Sequence, residues 1–221
     1  DVGRSLGYCY NGDDNDEGVL GYGQNPPSIG VDFFQGPTDT SGIELGMGAF
    51  VYYNNTSDPV NGNPDNAIDF YNLLQGKWMN GVCMKYGGNG VNGTVCTKYM
   101  FDDGTNPATA SYPKWTEKTS GNQPGDRRFL QSAGPFTLLP GAVNNVTVGV
   151  VWARTTSGGA TGSLNLLKLA SDKAQKLFNN KFDLPDGPEP PTVEYQELEN
   201  EIVLKFLNTD ASENYKEDIK N

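Results

Sequence analysis

Apolar positions in this 221-residue chain come in short bursts separated by turn-forming residues. Gly30-Val31-Asp32-Phe33-Phe34 and Gly48-Ala49-Phe50-Val51-Tyr52-Tyr53 are β-branched and aromatic runs bounded by Gly or Asn, which predicts two short strands. The period then lengthens. Asn63-Pro64-Asp65 supplies a cap residue, a proline for the first position and an acid for the first turn. Ala67, Ile68, Tyr71 and Leu74 follow at helical spacing, so a helix is predicted over 65–75, ended by Gly76. Residues 78–101 read as a hairpin or two short strands, and 102–125 as a long loop. Between Asn145 and Ala153 the pattern alternates. Val146, Val148, Val150 and Trp152 project to one face, Thr147, Gly149 and Val151 to the other. A second helix is predicted over 163–180, capped by Ser163, with Leu164, Leu167, Ala170, Ala174, Leu177 and Phe178 as its apolar stripe.

Beyond that helix, Pro185, Pro188, Pro190 and Pro191 mark an extended linker over 184–191. Thr192–Tyr195 and Glu201–Phe206 then read as two strands with Glu199-Asn200 at the turn. The expected organisation is a turn-rich, β-sandwich-like domain over 1–185, followed over 186–221 by the linker and first strands of an incomplete fibronectin type III/Ig-like domain. The fold class expected is mainly β (α+β): an antiparallel β-sandwich with two short packed helices.

Composition narrows the function classes. The 28 glycines and 14 prolines favour turns and short strands, while 11% aromatic residues are enough for a core. The formal charge is −11, and the longest basic cluster is Arg127-Arg128, so nucleic-acid binding is excluded. No apolar run approaches the roughly 20 residues of a membrane-spanning helix. The absence of histidine removes Ser-His-Asp and Cys-His catalysis and His-based zinc sites. Carboxylate chemistry remains open. Of the three cysteines, Cys83 and Cys96 flank two strand-like runs joined by a glycine-rich stretch. A hairpin there brings them within disulfide range and leaves Cys9 over. Asp1 opens the chain in mid-pattern, as a processed or excised segment does, so a longer parent chain is expected.

The run Asp126-Arg127-Arg128-Phe129-Leu130-Gln131-Ser132-Ala133-Gly134-Pro135-Phe136-Thr137-Leu138-Leu139-Pro140-Gly141 resembles a motif of large, mostly uncharacterised Bacteroidetes surface and secreted proteins. Gly30–Pro37, Phe70–Trp78 and Tyr86–Gly90 are similar to further segments of such proteins, and the resemblance spans most of residues 10–207. It implies export by the type IX secretion system and an extracellular or cell-surface location. The partners it implies are neighbouring domains of the same or a larger chain, other cell-surface proteins, or glycans.

Calcium is the cofactor that the residues themselves suggest. Asp13-Asp14-Asn15-Asp16-Glu17-Gly18 matches the first half of a calcium loop, with oxygen ligands at alternate positions and Gly at the sixth. Asp13, Asn15 and Glu17 are the candidate ligands, with the Val19 carbonyl beside them. Gln24 stands where an EF-hand has its bidentate Glu. Asp102 and Asp103 form a weaker version. Asp126, Arg127 and Arg128 read as a structural set that pins a loop against a sheet rather than as a catalytic one. Tyr52-Tyr53, Tyr8, Tyr10 and Trp78 could form a sugar-stacking platform, although aromatics in a β-sandwich are more often core. A structural or interaction domain is therefore expected, with a carbohydrate-binding module or a hydrolase fragment as the alternatives.

Overall fold

The computed structural model describes residues 1–183 and 191–207, which fall into two compact units divided between Asn179 and Asn180. The proline-rich linker up to Pro190, and everything after Leu207, lie outside the described residues. The first unit contains strands β1 (Leu6–Tyr10), β2 (Asn15–Asp16), β3 (Gly23–Gln24), β4 (Ser28–Gln35) and β5 (Met47–Asn54), then helix α1 (Ala67–Leu74). Strands β6 (Met84–Lys85) and β7 (Cys96–Thr97), the single-turn helix α2 (Glu117–Ser120), strands β8 (Arg127–Ala133) and β9 (Thr147–Ala153) and helix α3 (Leu164–Asn179) complete it. The architecture is mainly β, organised as several small antiparallel sheets. The largest has the order β1-β4-β9, while β5 pairs with β8.

Each of these two sheets carries one helix and one core. Leu6, Val151, Ala153 and Leu167 are buried between β1-β4-β9 and α3. The other core gathers Val51, Tyr52, Leu73, Trp78, Met84, Met100 and Trp115 around β5-β8 and α1. Aromatic edges and faces knit it: Tyr52 lies 6.2 Å from Trp78 and 5.5 Å from Phe101, and Phe101 lies 5.1 Å from Trp115. The two indoles are not left unpaired, because Trp78 Nε1 donates to the Gly90 carbonyl and Trp115 Nε1 to that of Gly88, each at 2.9 Å. Both halves of the unit meet at Gly7. A Cβ there would stand 2.8 Å from the Phe50 ring, so only glycine lets β1 approach β5 this closely. Beside it, Gln131 Nε2 of β8 donates to the Val31 carbonyl of β4 at 3.1 Å.

Local expectations at both helices are corrected, and the alternation at 145–153 acquires a direction. Helix α1 starts two residues later than predicted, because Asn66 rather than Asn63 caps it. The Asn66 Oδ1 accepts from the amides of Ile68 and Asp69. Its buried side chain is Leu73, whereas Ile68, Tyr71 and Leu74 of the predicted stripe are exposed. The Ser163 carbonyl accepts from the Leu167 amide at 2.9 Å, as the residue that starts α3 should, but its hydroxyl bonds outside the helix. Its hydroxyl donates to the Pro26 carbonyl and accepts from the Thr155 amide, which ties the start of α3 to two other segments. The alternation at the C-terminal end of the unit is real, but the inward set is the smaller one. Val151 and Ala153 are buried, and the Val148, Val150 and Trp152 set is exposed.

The second unit contains an antiparallel hairpin, β10 (Thr192–Leu198) and β11 (Glu201–Leu207), joined by the predicted turn at Glu199-Asn200. Val193 faces Phe206 and Tyr195 faces Leu204, so one side of the ribbon is apolar, and these residues are exposed. A two-stranded ribbon of this kind is marginal in water unless its apolar side is covered.

Asp32 stands out among the buried groups of the first unit. It lies on β4 beneath α3, 1% exposed, and accepts a hydrogen bond from the Ser171 hydroxyl through Oδ2, while Oδ1 has no protein partner. Burial raises its pKa above the ordinary carboxylate value, an effect that the Ser171 hydrogen bond opposes. The folded state therefore favours the protonated acid. The stabilisation is complete below the unfolded-state pKa of about 4 and is lost as pH rises through the higher folded-state value. Asp32→Asn is expected to raise the thermal midpoint at pH 7, with the gap to the unmodified protein narrowing toward pH 4. Midpoints measured across that range test it, and a gap that stays constant with pH would count against the titration.

Candidate interaction surface

The face of the β1-β4-β9 sheet opposite α3 is met by Phe50 and Gln131 of β5-β8 at Gly7 and lies open along β9. Strand order puts β9 on an edge, and its sequence Thr-Val-Gly-Val-Val-Trp-Ala contains neither charge nor proline, the residues that commonly protect an edge. Val148, Val150 and Trp152 are 49%, 68% and 51% exposed. Ile29 sits directly opposite Trp152 on β4, and Cys9 directly opposite Ile29 on β1, so one exposed row crosses all three strands. Tyr22 extends that row, with its ring 6.3 Å from the indole of Trp152. Contiguous apolar exposure of this extent is a mark of surfaces that bind something.

Tyr22 reaches Trp152 because the acidic turn is bolted onto the segment after β9. The Asp14 carboxylate accepts from the Ala160 amide at 2.9 Å, and the Asn25 side chain accepts from the Gly159 amide at 2.9 Å. Arg154 donates to the carbonyls of Tyr22, Gln24 and Asn25 and lays its guanidinium over the Tyr22 ring at 5.4 Å. Gly159, at φ 63°, allows the approach, since a Cβ there would collide with Asp14 Oδ1.

The candidate calcium ligands occupy the outer side of this turn. Asp13 Oδ1 accepts from the Asn15 amide at 3.1 Å and from the Asn11 side chain at 3.2 Å. The Asn15 side chain donates to Glu17 Oε1 at 3.4 Å, and Asp16 accepts from the Tyr22 amide at 2.9 Å. Val19 is fully exposed at the tip, and Gln24 pairs with Asn15 across β2-β3. The acids thus serve neighbouring amide groups of the turn itself. Among the described residues no group of three or more Asp, Glu, Cys or His side chains is gathered in a way that could hold a metal ion.

Each remaining sequence candidate has a structural occupation. Asp102 is buried and organises its loop, accepting from the Thr109 hydroxyl, from the Gly104 amide at 3.0 Å and from the Tyr86 hydroxyl at 3.4 Å. Asp103 pairs with Lys114 at 3.6 Å. Cys83 and Cys96 form a disulfide with their Cα atoms 5.7 Å apart, and Cys9 is free. Arg127 bonds Glu117 at 2.8 Å. Asp126 accepts from Asn55 at 2.9 Å and pairs with Arg128, which donates in turn to Asn63 at 3.2 Å. Asp126 and Arg128 therefore clamp the 55–63 loop onto β8, while Arg127 holds the 117–123 segment. Tyr52 and Trp78 are core residues at 7% and 1% exposure, so neither offers a sugar-stacking face.

Sequence reasoning missed Asp14, Asn25, Arg154 and Asp32. For the first three the partners lie about 130 positions away, and no spacing rule reaches that far. Asp32 did carry a signal, as a lone acid inside an apolar strand. Comparison with known proteins finds no matching family model, no similar curated protein and no similar solved structure.

The turn's two kinds of acid are separable by mutation. Asp14→Ala removes the acceptor that docks the turn and is expected to destabilise the fold by roughly 1–2 kcal/mol, whereas Glu17→Ala is expected to change stability by less than about 0.5 kcal/mol. Chemical denaturation of the two variants checks this, and equal losses would mean that Asp14 is not the anchor.

Proposed function

We propose that this chain is an interaction domain of an exported cell-surface protein, one whose task is to dock through a sheet face rather than to catalyse. The uncovered apolar row on β1-β4-β9 carries this reading. A β-rich fold in water normally turns polar residues outward on an antiparallel sheet, and here the larger apolar set faces outward instead. The Cys83–Cys96 disulfide supports the exported half of the reading, because such bonds persist in oxidising compartments. The type IX secretion route follows from the resemblance of the 126–141 motif. A sandwich architecture for the first unit is supported by the meeting of the two sheets at Gly7, and a fibronectin type III-like start for the second by the hairpin with one apolar side.

A carbohydrate-binding alternative draws support from a different place. An open cleft of about 580 Å³ beside α1 is lined by Asn55, Asp58, Asn63, Asp65 and Asp69, side chains suited to hydroxyl groups.

The docking reading is tested with a dye that fluoresces on exposed apolar surface. The folded chain is expected to bind the dye well below its unfolding midpoint, and Val148→Lys combined with Trp152→Lys to abolish most of the signal. A folded chain that leaves the dye dark sinks the proposal. Calcium stabilisation belongs to the same reading and has its own check. If Asp13, Asn15, Glu17 and the Val19 carbonyl bind the ion in the native state alone, calcium at about 100 times its Kd stabilises by about 2.7 kcal/mol. Thermal midpoints that coincide in millimolar calcium and in chelator exclude that site.

A further inference from the structure

We infer that this chain pairs with a second copy of itself along the free edge of β9, antiparallel and about a two-fold axis at Val150, so that two β1-β4-β9 sheets join into one of six strands. This contact lies beyond the docking reading, since it uses the strand's edge rather than the sheet's face. Among the described residues no backbone hydrogen bond joins 147–153 to any segment other than β4, so one side of the strand keeps its amides and carbonyls unpaired. Such a row is a template for another strand. The other edges are guarded. Leu6 and Gly7 of β1 are buried, β8 opens with Arg127-Arg128, and the backbone of Phe50 in β5 already bonds Lys98 and Met100.

A two-fold contact must be complementary to itself. Val150 is the middle residue of β9. A two-fold there sets Val150 beside its own copy and Val148 of each chain beside Trp152 of the other, an aromatic pair with a β-branched residue. Phe50 and Gln131 meet this sheet at Gly7 of β1 and Val31 of β4, so they stand clear of the joint. The apolar row along β9 stays open and runs on, doubled, across the joined sheet.

The helix above the edge fits the same partner. Lys168 lies over the Tyr8 ring and Asp172 bonds Arg4, so that flank of α3 faces β1. Leu166 and Ala170 stand two positions earlier, about 200° round the helix, and therefore face past β9. Because α3 packs on both β9 and β4, strands about 4.8 Å apart bring the two α3 axes to about 10 Å, an ordinary packing distance. The two helices run antiparallel there. Exposed Lys173 and Lys176 of each copy approach the start of α3 in the other, where the Asp14–Ala160 bond holds the acidic turn with its exposed Asp13 and Glu17. At a formal charge of −11 most approaches of two copies are repulsive, and this one sets opposite charges together.

Cys9 makes the joint measurable, because it is free, exposed and in the row of Ile29 and Trp152. Strand spacing across the six-stranded sheet, with the offset of that row from Val150, puts spin labels on the two Cys9 residues about 25–35 Å apart. Sedimentation of the intact chain from about 1 to 300 μM is expected to show a monomer–dimer equilibrium. The label distance appears in the dimer, and the outward amides of β9 gain protection from hydrogen exchange as the dimer fraction rises. Val150→Lys sets two like charges side by side at the axis and is expected to weaken association at least about tenfold. Ile68→Lys, on the exposed side of α1, leaves it unchanged. A monomer throughout that range overturns the second-copy assignment, while dye binding by that monomer leaves the docking reading standing. A dimer whose β9 amides exchange as in the monomer, whose labels lie outside that distance, or that the two variants weaken equally, overturns the pairing at this edge.

Discussion

The contact at Gly7 is the constraint on which the first unit is built. This chain is thin in aliphatic residues, and neither the β1-β4-β9 nor the β5-β8 sheet is wide enough to enclose a core alone. Each instead traps a small core beneath its own helix, Leu6 and Leu167 on one side, Leu73 with the Trp78 and Trp115 aromatics on the other. The two halves meet most closely where β1 touches the Phe50 ring, and a side chain at residue 7 would hold them apart there. The Gln131 amide then fixes their register by bonding the Val31 carbonyl.

Polar side chains do the rest of the ordering. Asp14, Asp102 and Asp126 each accept from an amide or hydroxyl of another part of the chain or of their own loop, and so add a polar tie to the apolar contacts that Tyr22, Trp115 and Val60 make. In an Asn- and Gly-rich chain this supplements hydrophobic anchoring. It also explains why the acids with the metal-like spacing serve as turn acceptors in the structure. A carboxylate two residues before an amide is the geometry of both a calcium loop and a simple Asx turn.

The functional reading grows from an imbalance. Burying Val151 and Ala153 against α3 forces Val148, Val150 and Trp152 outward, because successive side chains of a strand take opposite faces. The larger apolar set is thereby presented on an edge strand, next to an anchored turn that adds Tyr22. Contiguous apolar exposure of this kind is a mark of surfaces that bind, and the acidic character of the chain as a whole bears on which contacts are favourable.

Local chemistry was readable from the residues alone. The strand runs at 30–34 and 48–53, the alternation at 145–153, the long helix, the closeness of Cys83 to Cys96 and the loop-pinning set Asp126, Arg127 and Arg128 all depend on neighbours a few positions away. What lay beyond the sequence was the direction each pattern faces. Alternation separates two sets of side chains but does not say which set a helix will cover, and α3 covered the smaller. The helix at 67–74 was legible, yet its buried residue, Leu73, was not in the predicted stripe. The anchoring of the acidic turn to Ala160, and of Asp32 to Ser171, joins positions more than a hundred residues apart. Sequence determined which short elements could form, because propensity and capping are local. Tertiary structure alone decided which faces were buried, because burial depends on the element that arrives from elsewhere in the chain.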